Sequence, residues 1–354
     1  MIKEVHKVSI KKVFTILLSF AIIIALTGCS VLDMMAGIKN ENKDKAFDYF
    51  ALIEDDEESD DEDVVETIST NDGEKKAIVA YYKDSNGFII PVNTEIKLEE
   101  GIAKAVLREM VVGSEKEKLM NKLDLHGTIP EGTEILGMSI NDGLCIVDFN
   151  KNILNTASYE DEEAMVTAIS YALTEFDTID RVEIRVEGKT LNALNKGYPI
   201  DTVFKRENIN LIGSPNGTNY TVFYKTAETE VEGYYVPMTF TADKVGNPIK
   251  LVLEKLFSGA PENLPVQNNI PLGLSLNDVN VTNGVVQVDL SVDALRLDQE
   301  DYDDLKEIVV LCLQQFDDIS DLEFSIEGIT FEEAGLNFID SDVRAVFNET
   351  NKGK

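Results

Sequence analysis

The sequence predicts an α+β fold built twice, as two tandem copies of a small α/β domain in which two helices cover one face of a mixed sheet. Three observations lead to this prediction. The segment IPEGTEILGMSINDGLCIVDFN, residues 129–150, returns as IPLGLSLNDVNVTNGVVQVDLS, residues 270–291. Strand and helix periodicities alternate in the same order along each copy. A chain of 354 residues is long enough for two domains.

The two copies, repeat 1 and repeat 2, share further anchors in the same order. Tyr82-Lys83 matches Tyr224-Lys225, and FDTIDRVEIRVEG (176–188) matches FDDISDLEFSIEG (316–328). The interval between matched positions drifts by a few residues, which indicates small loop insertions. We place domain 1 at residues 76–210 and domain 2 at residues 219–347, with the Ser-Pro-Asn-Gly stretch 214–217 between them.

Local patterns predict the first elements of each copy. A strand pair around residues 77–92 precedes a first helix around residues 98–112. The quoted segment then alternates apolar and polar positions on both sides of Asp142-Gly143, or of Asn283-Gly284 in repeat 2. Both dipeptides accept the positive φ angles of a two-residue primed turn, so each copy is expected to form a hairpin there.

A second helix is predicted from apolar side chains that recur at helical spacing. They form one core-facing stripe in each copy: Met165, Ala168, Ile169, Ala172, Leu173 and Phe176 in repeat 1, and Leu305, Ile308, Val309, Cys312, Leu313 and Phe316 in repeat 2. A last strand, at residues 182–187 or 322–327, alternates apolar and polar positions. The glycine that follows, Gly188 or Gly328, can end it.

The N-terminus predicts export and lipidation. Four lysines precede the uncharged run 13–28, and Leu26-Thr27-Gly28-Cys29 resembles a bacterial lipobox. Residues 1–28 are then a lipoprotein signal peptide. The thiol of Cys29 would carry a diacylglyceryl group and anchor the chain to the extracytoplasmic face of the cell membrane. An uncleaved membrane anchor is the alternative, because the uncharged span is close to the minimum for crossing a bilayer.

Residues 29–75 predict an acidic tether rather than part of a core. Nine of the ten side chains in EDDEESDDED, residues 54–63, are acidic, so the segment is expected to stay solvated. A simple spacer is the preferred interpretation, since nothing organises these carboxylates into a calcium site. The net charge of −33 also makes nucleic acid and anionic lipid surfaces poor partners.

Constellations for catalysis, metals or cofactors are hard to find in the sequence. His126 is interpreted as a loop residue, and the sequence has neither a Cys-x-x-Cys pair nor a Gly-rich phosphate loop. We therefore expect no cofactor and no metal. Cys145 aligns with Val286, and Cys312 aligns with Ala172. Both are interpreted as core residues, with a disulfide between them left open.

The recurring aspartates Asp148 and Asp289 are the strongest candidates for catalysis, because paired carboxylates can cleave glycosidic bonds. They lie at matching places in two separate copies, however. An aspartate at a strand end can instead accept hydrogen bonds from nearby backbone amides and set a turn. Architecture is the preferred interpretation, an interaction surface the second and catalysis the third. The same holds for Glu187 and Glu327, which precede their glycines.

The recurring motifs also form a set that resembles a known family. The IPxG, the NDG or TNG turn, the VD at the strand end, the FD-x-I pair and the VEG or IEG ending are similar to those of tandem GerM domains. A lipobox ahead of two such copies resembles the sporulation and germination lipoproteins of endospore-forming bacteria. The resemblance implies a fold similar to ring-building modules, a place in the complex between mother cell and forespore, and no assigned catalytic residues.

The resulting hypothesis is a non-enzymatic, membrane-tethered scaffold of the bacterial envelope with protein partners in an envelope or sporulation complex. Self-assembly stays open, because the large negative charge opposes it. A peptidoglycan- or small-solute-binding lipoprotein is the first alternative, and it would need a cleft lined by exposed tyrosines such as Tyr81, Tyr82, Tyr234 and Tyr235. The second alternative is a cell-wall hydrolase that uses Asp148 or Asp289.

Overall fold

The structure is a computed structural model that describes residues 75–97, 101–214, 216–226, 233–242 and 246–339. The predicted signal peptide, the lipobox with Leu26, Thr27, Gly28 and Cys29, and the tether up to residue 74 lie outside the described residues. So do residues 340–347 of predicted domain 2. Among the described residues, no helix is both long enough and apolar enough to span a bilayer.

The two repeats contain closely similar series of elements. Those of repeat 1 are β1 (Lys75–Asp84), β2 (Ile89–Lys97), α1 (Ile102–Glu109), α2 (Glu115–Met120), β3 (Leu125–His126), β4 (Ile135–Asn141), β5 (Leu144–Phe149), a 3₁₀ helix (Lys151–Leu154), α3 (Tyr159–Leu173) and β6 (Arg181–Val186). Those of repeat 2 are β7 (Thr218–Thr226), β8 (Tyr235–Ala242), α4 (Pro248–Phe257), β9 (Val266–Gln267), β10 (Leu276–Thr282), β11 (Val285–Leu290), a 3₁₀ helix (Val292–Arg296), α5 (Gln299–Leu313), β12 (Asp321–Ile326) and β13 (Ile329–Thr330).

The predicted α+β class is confirmed, and each repeat contains the mixed sheet that was expected. The strands of a repeat nevertheless divide into two small sheets rather than one. In repeat 1 the antiparallel sheet has the order β2-β1-β3 and the mixed sheet the order β4-β5-β6, with β5 antiparallel to β4 and parallel to β6. Repeat 2 has the orders β8-β7-β9 and β10-β11-β12-β13. The parallel pair needs a crossover, which α3 or α5 supplies.

The second helix of each repeat packs its predicted stripe into the core. In both repeats the first five stripe positions are buried, and Phe176 and Phe316 are partly buried just beyond the helix ends. Helix α3 contacts both β1 and β6, so one helix links the two sheets of repeat 1. Ser158 begins α3 by accepting a hydrogen bond from the amide of Asp161, and Asp298 begins α5 in the same way.

Helix α2 accounts for part of the drift in spacing between the copies. Repeat 1 is five residues longer between Gly113 and Ile129 than repeat 2 is between Gly259 and Ile270. The extra residues accommodate α2, whose first turn is capped by the hydroxyl of Ser114 at 3.0 Å from the amide nitrogen of Glu117. The drift in spacing predicts small loop insertions, and this insertion contains a helix instead.

Asn210 joins the two repeats. Its side-chain nitrogen donates to the carbonyl oxygens of Ile89 in β2 (2.8 Å) and of Pro237 in β8 (2.7 Å). Its side-chain oxygen accepts from the amide of Ile89 at 2.7 Å. One carboxamide therefore satisfies three backbone groups at the junction. Its φ of 47° lies in the left-handed region, which asparagine tolerates better than most residues.

The connecting chain strengthens this junction through its backbone. The carbonyl oxygen of Ile209 accepts from the amide of Thr239 at 3.0 Å, and the amide of Ile212 donates to the carbonyl of Thr239 at 2.8 Å. Residues 209–212 thus run beside β8 as an extra edge. The hydroxyl of Tyr234 also donates to the carboxylate of Asp84 in repeat 1 at 3.2 Å. The two repeats belong to one compact unit.

We predict that Asn210→Ala lowers the free energy of unfolding by about 1–3 kcal/mol, because it removes three hydrogen bonds and leaves backbone groups of the junction without partners. Urea unfolding followed by circular dichroism measures the change. Asn216→Ala is the matched control, because Asn216 is exposed and its side chain bonds only locally, to Ser214. An equal effect of both substitutions would contradict the junction described above.

Candidate functional site

The hairpin dipeptides lie at the tips of matching turns. Asp142 and Gly143 have φ angles of 47° and 74°, and Asn283 and Gly284 have φ angles of 53° and 84°. A Cβ on Gly284 would lie 2.9 Å from the backbone carbonyl oxygen of Asp318, so this glycine is needed for space as well as for its dihedral angle. These four residues build the hairpins between β4 and β5 and between β10 and β11.

The strand-end aspartates bond a turn that lies about 40 residues further along the chain. Asp148 Oδ1 accepts from the amide of Gly188 at 2.8 Å, and Asp289 Oδ1 accepts from the amide of Gly328 at 2.8 Å. Strands β5 and β6 are parallel, so their ends meet at the same edge of the sheet. Each aspartate therefore holds the turn that follows the neighbouring strand, and not the turn that follows its own.

Glu187 and Glu327 occupy the first position of these held turns. Their φ angles are 51° and 50°, followed by 75° at Gly188 and 82° at Gly328. Two successive residues with positive φ make a primed turn, and glutamate pays a steric cost in this region. The amide hydrogen bond to the aspartate helps to offset that cost. The strand-end aspartate and the turn that it bonds therefore form one structural unit, which occurs once in each repeat.

In repeat 2 the aspartate has additional partners. Asp289 also accepts from the hydroxyl of Ser325 at 2.7 Å and from the side-chain amide of Asn277 at 3.2 Å. Burial raises the pKa of Asp289, but the hydrogen bonds from Gly328, Ser325 and Asn277 outweigh it, and the pKa lies below its usual value. A general acid for glycoside cleavage needs a raised pKa, so this carboxylate is poorly suited to that role.

Both described cysteines lie in the core, and they do not form a disulfide. Cys145 and Cys312 are fully buried, and Cys312 Sγ lies 3.3 Å from the amide nitrogen of Phe223. Burial raises the pKa of Cys145 to about 11 and that of Cys312 to about 12, the latter against a small lowering by the Phe223 amide. Neutral, inaccessible thiols of this kind are unreactive.

The four tyrosines that the binding-lipoprotein alternative would need in an exposed cleft do not form one. Tyr81, Tyr82 and Tyr235 are buried, and Tyr234 is half-buried with its hydroxyl bonded to Asp84. Adjacent residues of a strand point to opposite faces, and β1 is covered on both of them. Tyr81 packs against Tyr171 of α3 with ring centroids 5.6 Å apart, and the hydroxyl of Tyr82 lies near the end of α1. These rings fill the core rather than line a cleft.

His126 lies in a strand, which corrects its interpretation as a loop residue. It pairs with Lys83 of β1, its side chain is exposed, and its Nδ1 lies 2.7 Å from Asn121 Oδ1. Across the described ranges, no group of three or more histidine, cysteine, aspartate or glutamate side chains is arranged to hold a metal ion.

Two residues of the connecting chain were missed by sequence reasoning. In the sequence prediction, Asn210 is only the end of domain 1 at residues 76–210. Arg206 donates to Glu175 at 2.5 Å and to the hydroxyl of Tyr81 at 3.1 Å, and its guanidinium lies 4.7 Å from the centre of the Tyr171 ring. The one available signal was composition, because KRENINLI (205–212) lacks the glycine, proline and serine of a flexible linker.

The described part of the chain is a tandem pair of small α+β domains whose recurring polar residues build turns. A family model described as "Sporulation and spore germination" (Germane) matches residues 79–192 and 221–332, more than half of the chain. The chain belongs to this sporulation and spore germination family.

One curated protein and one solved structure that are similar to this chain both concern GerM of Bacillus subtilis. The spore germination protein GerM of Bacillus subtilis (strain 168) is 29% identical over 169 residues, which cover 46% of this chain and 46% of that protein. The chain thus aligns with less than half the length of this relative. A solved structure of the tandem GerMN domains of the sporulation protein GerM from Bacillus subtilis matches with a TM-score of 0.65 and 21% identity, covering 78% of this chain and 99% of that one. This likeness shows the fold.

We predict that the contribution of Asp289 to stability depends on pH. Its pKa is lower in the folded chain than in the unfolded chain, so its ionised form stabilises the fold above about pH 4, and this stabilisation is lost as the pH falls through the folded pKa. Asp289→Asn is expected to cost about 1 kcal/mol near neutral pH and less in acid. Urea unfolding over this pH range measures the difference, with the exposed Glu332→Gln as control. A cost that does not change with pH would contradict the prediction.

We also predict that Cys145 and Cys312 resist thiol reagents in the folded protein at about pH 8, because both thiols are neutral and buried. The reaction with a chromogenic disulfide is followed on the Cys29→Ala chain, which leaves these two cysteines alone. Unfolding in guanidinium chloride is expected to make both react. Rapid reaction of either thiol in the native protein would refute the burial.

Proposed function

We propose that the chain is a non-enzymatic, membrane-tethered scaffold of the bacterial envelope that acts in sporulation and spore germination, in a complex between mother cell and forespore. Membership of the sporulation and spore germination family supports the biological setting. The observation that best supports the scaffold role is that the recurring polar residues stabilise turns. Asp148 and Asp289, the strongest candidates for chemistry, are each bonded to a glycine amide of a turn.

The junction between the repeats also supports a scaffold. Asn210 bonds both β2 and β8, the 209–212 backbone bonds β8, and the hydroxyl of Tyr234 bonds Asp84 of β1, so several contacts join repeat 1 to repeat 2. A binding or assembly module benefits from such a junction, because surfaces held at a constant spacing lose less entropy when both engage partners.

The alternatives are less well supported by the described residues. In a wall hydrolase, the lowered pKa of Asp289 would make it unsuited to the general-acid role, so another residue would have to supply the acid. A glycan-binding cleft was expected to be lined by tyrosines that instead lie in the core or at the junction. Spore germination protein GerM, the relative named above, carries a role in germination in its name, and we extend that role to this chain as part of the proposal.

We predict that Cys29→Ala releases the full-length protein from the membrane fraction of the cells that make it, because the predicted lipobox thiol is the attachment point. Cell fractionation and immunoblotting measure the release. Cys145→Val is the matched control, since repeat 2 carries Val286 at the equivalent position, and it should remain with the membrane.

The released protein should also lower spore yield or germination relative to the control strain. A Cys29→Ala protein that stays in the membrane until detergent is added would favour the uncleaved anchor. Normal spore yield and germination in cells that lack the gene altogether would contradict the proposed function.

A further inference from the structure

Repeat 2 exposes four aliphatic side chains at one end of its mixed sheet. Leu272 is fully exposed, at 105% of the reference value, and Val292, Leu295 and Ile329 are 56%, 47% and 46% exposed. We name these four residues the repeat 2 apolar patch. Single exposed aliphatic residues are common on protein surfaces, but a group of them at one place favours association with another surface.

Hydrogen bonds bring the segments that carry the patch to the same end of the sheet. The amide of Ser291 donates to the carbonyl of Ser275 at 2.9 Å, which places the loop of Leu272 beside the start of the 3₁₀ helix. The amide of Glu327 donates to the carbonyl of Leu290 at 3.1 Å, which places the turn before Ile329 there as well. Val292 and Leu295 are three residues apart and therefore share one face of the 3₁₀ helix.

Repeat 1 shows that the fold does not need apolar residues at these places. The positions equivalent to Leu272, Val292, Leu295 and Ile329 hold Glu131, Lys151, Leu154 and Lys189. Three of the four are charged and exposed. The remaining one, Leu154, is half-buried and its carbonyl accepts a hydrogen bond from the side chain of Asn195 at 3.0 Å. Three of these positions thus hold exposed charged residues in repeat 1 and exposed aliphatic residues in repeat 2, on the same arrangement of strands and turns.

The charge around the patch indicates what covers it. Asp293 and Glu327 belong to the same segments, and Asp289 lies behind the Glu327 turn with a lowered pKa. The one basic residue of the 3₁₀ helix, Arg296, forms an ion pair with Asp293 at 3.1 Å. With a chain charge of −33, this rim repels anionic lipid and a second copy of itself. It complements lysine and arginine.

We infer that the repeat 2 apolar patch is a docking site for a protein whose contact surface carries aliphatic side chains flanked by lysine or arginine. The inference rests on the proposed scaffold function, and names the surface through which the scaffold binds. Apolar contact at the centre of the interface provides affinity, and the charged rim increases the association rate and the specificity.

A photo-reactive amino acid placed at position 272 of the full-length chain, in the cells that produce it, identifies what covers the patch. We expect a cross-link to another protein, at a peptide that contains aliphatic residues next to lysine or arginine. An adduct with a second copy of this chain, with lipid or with an acidic peptide would overturn the inference, and so would the lack of any adduct.

Binding of the purified cross-linked partner then tests the patch directly. The variant Leu272→Glu, Val292→Lys and Ile329→Lys places the charges of repeat 1 in repeat 2, so the fold is expected to persist, which its urea midpoint checks. Its affinity for the partner should fall about tenfold or more. The control Leu119→Glu, Leu136→Lys and Ile140→Lys changes three exposed aliphatic residues of repeat 1 by the same charge and should bind normally.

The salt dependence and the control variant show whether the docking-site inference or the scaffold function itself is wrong. Raising the salt from about 0.1 M to about 0.5 M should weaken binding of the unmodified chain, because the charged rim is screened. If the control variant loses the partner while the repeat 2 variant keeps it, the chain is still a scaffold and the patch is not its docking site. If neither the unmodified chain nor any variant associates with another envelope protein, the scaffold function itself is refuted.

Discussion

The carboxamide of Asn210 is the contact on which the arrangement of the two repeats depends. It bonds three backbone groups of β2 and β8, and it does so from a residue whose backbone has a left-handed conformation. Backbone groups at such a junction need partners, so losing this side chain affects both repeats together. The relative position of the surfaces on the two repeats therefore depends on this contact, together with the 209–212 backbone and the Tyr234–Asp84 hydrogen bond.

Inside each repeat, the parallel pairing of the last two long strands plays the corresponding part. It brings the end of β5 next to the end of β6, and the end of β11 next to the end of β12. The aspartate on the first strand of each pair then holds the primed turn after the second. The motif that suggested paired catalytic carboxylates is therefore explained by the topology. The motif recurs because each repeat contains the same edge of its mixed sheet.

The sequence predicted the local features of this fold well and the long-range ones poorly. The turn at Asp142-Gly143 and the buried face of α3 are both set by residues that are close together in sequence. Composition and spacing were therefore enough to predict them. In the described part of the chain, the two sheets of repeat 1 share no strand pairing, and the antiparallel sheet includes β3, a strand of two residues that is too short to leave a periodic pattern. The partners of Asn210 in β2 lie 121 residues away, and no local rule identifies them.

The candidate site shows the same limit. The binding-lipoprotein alternative would need Tyr81 and Tyr82 at a surface, since tyrosine often lines binding clefts, but a strand covered on both faces buries both rings. Comparing the copies residue by residue could have shown that Leu272 replaces Glu131. Only the structure shows that Leu272 stands fully exposed beside other aliphatic residues. Shared residues thus build the domain, and residues that differ between the copies are where its function is expected.

The measurement that tests this account most directly is spore formation and germination in cells whose only copy of the chain carries Asp148→Asn and Asp289→Asn. Asparagine keeps an oxygen that can accept the glycine amide and removes the carboxylate. The account predicts spore yield and germination like those of the unmodified chain when the two proteins are equally abundant. A folded, equally abundant variant that behaves like a strain lacking the gene would contradict it, because the aspartates would then act through their chemistry.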